Sequence, residues 1–364
     1  MSHLMENKKL SDSGFKEPSI LARVIRGDTV ESIHRGHIVA VDGDGKSILE
    51  IGDPGTVTFL RSAAKPFQAI PFITSGAADA FGFSEEEIAL ACASHSGQPV
   101  HIRIVKIMLE RAGFTEGQLQ CGVHPPFNEK EAGRIVRSGD GASTLHNNCS
   151  GKHAAMLAFA RHIGADTVSY TAIENPIQQK ILSTIAQFAE IGESDIALAI
   201  DGCVAPNFAM PISAMARAFI NLMSPPASFD AATRDASRRI VSTITKFPEL
   251  IGGTGRLDTM LMQAAPNSLI SKVGADGVWL CGILPSDKYP AGLAIALKIE
   301  DGDDKRARPV VAVEVLKRLE IFPTDCLPEL SPMPITNRRG DSVGHVEAVL
   351  DKLACGSKFS VFSR

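Results

Sequence analysis

The order of apolar and polar positions divides the chain into strands at both ends and helices between. Residues 22–26, 30–35 and 37–41 are short runs rich in β-branched side chains. Asp42-Gly43-Asp44-Gly45 reads as a hairpin turn, followed by a strand at 47–51, a second turn at Gly52-Asp53-Pro54-Gly55 and a strand at 56–60. The pattern predicts an antiparallel meander that delivers the chain to Ser62. From residue 64 the period becomes helical. Helices are predicted at 64–75, 85–93, 101–112, 151–163, 176–190, 212–223, 231–245, 256–264 and 304–319. Their ends carry the matching punctuation: Ser84 with Glu87 as a capping box, Pro176 at a first helical position, Gly113 and Gly164 at C-caps. Residues 196–200 read as a buried strand that ends at Asp201-Gly202-Cys203. Strands return at 268–273, 277–284, 291–299 and 343–348.

This order defines the fold class as α+β, with an antiparallel sheet built from N- and C-terminal strands, packed with helices, plus a mainly helical half. Residues 1–19 are polar, without an apolar core segment, and read as a disordered leader rather than a signal peptide. Residues 20–364 are expected to form a single catalytic unit of two interlocked halves. The sheet half spans about 20–62 and 266–364, the helical half about 63–265. A formal charge of -4 on 364 residues gives no reason to expect nucleic acid or an anionic membrane as partner. No apolar run reaches transmembrane length. Seven cysteines at irregular spacing suit reduced thiols and a cytoplasmic location better than a disulfide framework.

Candidate chemistry clusters at a few points. Ser62-Ala63-Ala64-Lys65 places a hydroxyl and an amine three residues apart at a helix start, on one face. A neutral lysine there can take the serine proton, which a serine nucleophile needs at neutral pH. The same spacing also describes a capping serine beside a solvent-facing lysine. Arg61 supplies a cation or a carboxylate ligand. Ser94-His95-Ser96-Gly97 follows an apolar helix and reads either as a corner entering a cleft or as a cap turn. Asn147 to His153 is the densest polar cluster, at a helix N-terminus that favours anions and thiolates. Cys149 and Lys152 lie three apart and can face one direction, with Cys203 across a cleft, where two thiols plus a histidine or carboxylate can hold zinc; ordinary buried thiols are the plainer alternative. Gly252-Gly253-Thr254-Gly255 lacks the ending of a phosphate loop and reads as a turn or a carboxylate-binding nest.

Taken together, residues 30–36, 61–66, 91–97, 145–153, 201–203 and 252–258 resemble the signature stretches of the rhizobial-type L-asparaginases, the asparaginase II family. The resemblance runs from about residue 22 to the C-terminus. It implies hydrolysis of L-asparagine to aspartate and ammonia by a homodimer whose fold is similar to that of serine β-lactamases and serine-dependent glutaminases. It implies two serine–lysine pairs, Ser62 with Lys65 and Ser94 with Lys272, and a Zn2+ site at Cys149, Lys152 and Cys203. Arg61, His153, Asp201 and Asp258 are the expected contacts for the α-carboxylate and α-ammonium of the substrate. Some members of the family carry cysteine where this chain has Asp258. Two rival readings remain at this stage: a penicillin-recognising serine hydrolase, which shares S-x-x-K, and a non-catalytic zinc- or amino-acid-binding protein.

Overall fold

A computed structural model describes residues 16–350. The part of the expected leader before residue 16 lies outside the described residues, as does Cys355. Eleven strands are present among the described residues: β1 (Ser19–Arg26), β2 (Thr29–Asp42), β3 (Ser47–Ile51), β4 (Val57–Phe59), β5 (Ala197–Ile200), β6 (Pro206–Pro211), β7 (Leu269–Val273), β8 (Val278–Ile283), β9 (Leu293–Ile299), β10 (Met333–Thr336) and β11 (Ser342–Ala348). Eight of them form one sheet in the order β10-β11-β1-β2-β9-β8-β7, with β3 paired to β2. Every pairing is antiparallel. Strands from both ends of the chain thus share one sheet, and the fold class is α+β.

Two runs expected as separate strands, 30–35 and 37–41, are the continuous strand β2. Gly36 makes this workable. A Cβ there would lie 2.1 Å from the Lys298 carbonyl oxygen, so only glycine lets β9 lie alongside.

The second sheet departs from expectation. β4 leaves the meander and pairs with β6, which also pairs with β5. Of the strand expected to be buried at 196–200, Ile196 is buried but Ala197–Ile200, which forms β5, is exposed along its whole length. It is the outer strand of a three-stranded sheet, so apolar residues there gain no cover from a second neighbour. An unbroken apolar run does not by itself tell a buried strand from an exposed one.

The helices supply the interior. Lys65–Thr74 is buried at every position but the last and packs against Ser150–His162, Pro176–Ala189 and Ala231–Lys246. Pro66 sits in its first turn, where an amide has no helical partner. Phe67 anchors it, with ring centroids 5.5 Å from Phe188 and 5.8 Å from Phe219. Ile212–Met223 and Ala307–Arg318 pack on the large sheet. The helix Ser150–His162 approaches Glu85–Ala91 through Gly151, whose added Cβ would lie 2.4 Å from the Leu90 carbonyl oxygen. Helix propensity alone favours alanine over glycine there by about 1 kcal/mol, but contact with fixed backbone outweighs it. Gly151→Val is therefore expected to lower unfolding stability by about 1–3 kcal/mol, measured by denaturant titration; an unchanged midpoint contradicts the close approach.

Candidate active site

The centre is one hydroxyl between two buried lysines. Lys65, at the start of its helix, and Lys272, next to the last residue of β7, are each 1% exposed, and Ser94 is 2% exposed. Lys65 Nζ lies 3.0 Å from Ser94 Oγ, 2.6 Å from the Ala93 carbonyl oxygen and 3.0 Å from the Asn148 carbonyl oxygen. Lys272 Nζ lies 2.8 Å from the same Ser94 Oγ and 3.0 Å from the Val273 carbonyl oxygen. Asp258 Oδ2 is 3.5 Å from Lys272 Nζ.

These contacts constrain the protons. A neutral amine has two N–H bonds and one lone pair. Two carbonyl oxygens can only accept, so a neutral Lys65 donates to Ala93 and Asn148 and turns its lone pair to the Ser94 hydroxyl. That hydroxyl has one proton. When Lys65 accepts it, Lys272 donates an N–H to the Ser94 oxygen. The three groups form a short directional proton path.

Burial lowers the pKa of both lysines. For Lys65 burial dominates, the positive charge of Lys152 adds to it, and the Cys149 thiol works against it. For Lys272 burial brings the value to about 8, against the opposing charge of Asp258. An unfolded chain holds this lysine charged up to about 10.5. Between those values the unfolded state binds more protons, so Lys272 makes stability rise with pH in that window.

Ser62 lies in a 3-10 turn, Arg61–Ala64, immediately before the helix of Lys65. It is half-buried. The expected contact from Lys65 does not form: its three hydrogen bonds go to Ala93, Ser94 and Asn148. The helical spacing fixed where the Lys65 stem starts, but the long side chain runs inward to the turn after helix Glu85–Ala91. Arg61 adopts φ +52, a conformation that side chains rarely take. Its Nε lies 2.9 Å from Asp201 Oδ1, its Nη1 pairs with Asp276, and its backbone N–H donates to Asn207 Oδ1 at 3.1 Å.

Asp201 links Ser62's neighbour to a second cluster. Its Oδ2 is 3.6 Å from Cys203 Sγ, which is 3.0 Å from Lys152 Nζ. The neighbouring Cys149 thiol pulls the Cys203 pKa down, and Cys203 together with burial raises that of Cys149. Burial pushes the Lys152 pKa down, but the charges of Cys203 and Cys149 overcome it and raise the value. His153 is fully buried, with Nδ1 2.7 Å from Tyr170 Oη. Its Nε2 has no hydrogen-bond partner. The cluster thus gathers two thiols, an amine and an orphaned imidazole nitrogen. Among the described residues no three His, Cys, Asp or Glu side chains are grouped to hold a metal ion.

Asp258, expected as a substrate contact, is buried behind Lys272. It accepts from Ser271 Oγ at 2.7 Å and from the Val273 N–H at 2.9 Å. Sequence reasoning gave no site role to Ala93, Asn148, Val273 or Ser271, three of which are placed there by backbone carbonyls that side-chain motifs do not reveal. The Gly252–Gly255 segment is a turn against Ser96: a Cβ on Gly253, at φ +100, would lie 1.9 Å from Ser96 Oγ. No described helix is long and apolar enough to cross a membrane.

Two buried amines on one hydroxyl are group types that acyl-transfer chemistry can use. The chain belongs to the L-asparaginase II family, whose profile matches residues 22–348, and it is an amidohydrolase. No curated protein sequence matched. Among solved structures, a glutaminase from Bacillus subtilis in covalent complex with 5-oxo-L-norleucine is 12% identical, with 79% of this chain and 89% of that one covered at a TM-score of 0.38. A carbapenemase from Vibrio cholerae is 15% identical, with 77% and 94% covered at a TM-score of 0.34. Likeness at that level carries no argument here.

Removing the Asp258 charge removes an influence that raises the Lys272 pKa. In Asp258→Asn that pKa should fall below about 8. NMR titration of the lysine Cε resonance, assigned with Lys272→Arg, checks this; a rise would contradict the arrangement.

Proposed function

We propose that the protein hydrolyses the side-chain amide of L-asparagine to L-aspartate and ammonia through an acyl-enzyme. Membership of the L-asparaginase II family supports the substrate, and the convergence of Lys65 and Lys272 on Ser94 carries the mechanism. Ser62 attacks, because it is the more accessible of the two hydroxyls, half-buried where Ser94 is enclosed. As its oxygen bonds to the amide carbon, its proton passes to Ser94 Oγ while the Ser94 proton moves to neutral Lys65, the contact that Lys65 makes. Lys65 returns that proton to the amide nitrogen through the Ser94 hydroxyl. The C–N bond breaks and ammonia leaves an aspartyl ester on Ser62. Water then adds to the ester carbonyl and gives its proton to the same relay, which returns it to Ser62 Oγ as the bond to Ser62 breaks and aspartate is released. Lys272, steadied by Asp258, donates to Ser94 and sets the direction of the relay.

Arg61 binds the α-carboxylate in this reading, exchanging an existing carboxylate partner, and Asp201 takes the α-ammonium. Asp258 and His153 act on Lys272 and on Cys203 rather than on the substrate. A second reading, with Ser94 as nucleophile, draws on the same two lysine contacts. The two predict different adducts. Ser62→Ala should lose at least about a thousandfold in ammonia release with its fold unchanged, a scale typical of losing a covalent nucleophile. Mass spectrometry of the wild-type enzyme quenched during turnover should place the aspartyl group on the peptide holding Ser62. An adduct on Ser94, or near-normal activity of Ser62→Ala, would sink the assignment.

Cys149, Lys152 and Cys203 fit Zn2+ as a donor set of two soft sulfurs and an amine. Bound there, the ion would hold Lys152 deprotonated and add positive charge near Lys65. We also propose a homodimer and a cytoplasmic location. The exposed outer strand β5, with Leu198 and Ile200 open to solvent, supports the first. The buried free thiols Cys149 and Cys203 support the second. Elemental analysis and sedimentation on one purified preparation check metal and assembly. The expected result is a dimer with zinc that Cys203→Ser loses; a metal-free protein or a monomer overturns the corresponding statement.

A further inference from the structure

A cavity of about 210 Å³ lies beside the serine–lysine cluster and includes neither of its lysines nor Ser94. Its lining has two characters. Arg256, Lys305 and Arg308 contribute three cations, and Leu257, Met260 and Leu330 contribute hydrocarbon. Two carboxylates, Asp258 and Asp304, also line it, and both are engaged. Asp258 accepts from Ser271 and the Val273 N–H. Asp304 pairs with Arg308 and accepts from the Gly277 N–H at 2.8 Å. The cations therefore exceed the acids by one. Arg308 is 5% exposed, yet its Nε has no hydrogen-bond partner. Buried guanidinium donors ordinarily find acceptors, so one is missing here.

We propose that this cavity is a binding site for a small carboxylate with a hydrocarbon tail, separate from the substrate site. A carboxylate supplies the missing acceptor and balances the excess charge, and the apolar side chains cover the tail. The site also touches both supports of Lys272. Asp258 lines the cavity and lies 3.5 Å from Lys272 Nζ. Arg308 Nη1 donates to the Gly274 carbonyl oxygen at 2.6 Å, two residues beyond Lys272. A bound carboxylate therefore alters the setting of Lys272. That effect on turnover rests on the serine–lysine reading; binding itself does not.

Trp279 provides a readout independent of activity. It is the chain's single tryptophan. Its indole N–H donates to Ser271 Oγ at 2.9 Å, and Ser271 donates to Asp258 at 2.7 Å. Titration of the purified full-length protein with hexanoate should produce a saturable change in Trp279 fluorescence, and the neutral hexanamide should bind at least about tenfold more weakly. Lys305→Glu should weaken hexanoate binding about fivefold, and Leu330→Phe should weaken it by filling the cavity. Saturating hexanoate should change kcat for asparagine without competing with it. No saturable change, equal binding of hexanamide, or indifference to both substitutions overturns the proposal, as does simple competition with asparagine. If asparagine is not hydrolysed at all, the fluorescence titration still decides on the site.

Discussion

Two buried amines and one hydroxyl proton set the terms for this structure. Placing two ammonium groups within reach of one oxygen, away from water, costs several kcal/mol for each unpaired charge. The arrangement persists because neutralising either amine removes most of that cost, and because acceptors meet every remaining N–H. Those acceptors come from separated parts of the chain. Ala93 follows one helix, Asn148 precedes another, Val273 ends β7, and Asp258 lies on the helix Leu257–Ala264. Much of the packing in this region can be understood as the means of bringing these four oxygens to one place.

This dependence explains why the close approaches fall where they do. Gly151 lets the helix behind Asn148 meet the helix that leads to Ser94, and Gly253 lets its turn rest on Ser96. Both are positions where a methyl group would meet an atom already in place. The second cluster, around Cys203, is tied to the first through Asp201 and Arg61. A change at either cluster is transmitted along side chains in contact.

The sequence revealed local order better than partnership. The capping box at Ser84 forms as read, and Asn175 caps the helix that Pro176 opens. These signals act over three or four residues, so no distant context is needed to read them. The helix Glu129–Ser138 escaped because its apolar face is sparse, with Ile135 its only buried hydrophobic residue. β6 escaped because Pro206 and Pro211 bracket it, and proline ordinarily argues against a strand. β5 misled because its apolar residues predict strand but say nothing about cover. At the site, the motifs located the serines, lysines and thiols. They did not show that Lys65 turns to Ser94, because that depends on carbonyl oxygens with no signature of their own.

Arg61 gives the site two zones that respond differently to the surrounding solution. Its side chain is 29% exposed and its partner Asp276 is 66% exposed. Mobile ions reach that clasp and screen it over about 8 Å at physiological ionic strength. They do not reach the enclosed lysines. Salt therefore acts as a graded control on the residue beside Ser62 while the buried contacts of Lys65, Ser94 and Lys272 stay insulated. The exposed clasp answers to its surroundings, and the enclosed amines do not.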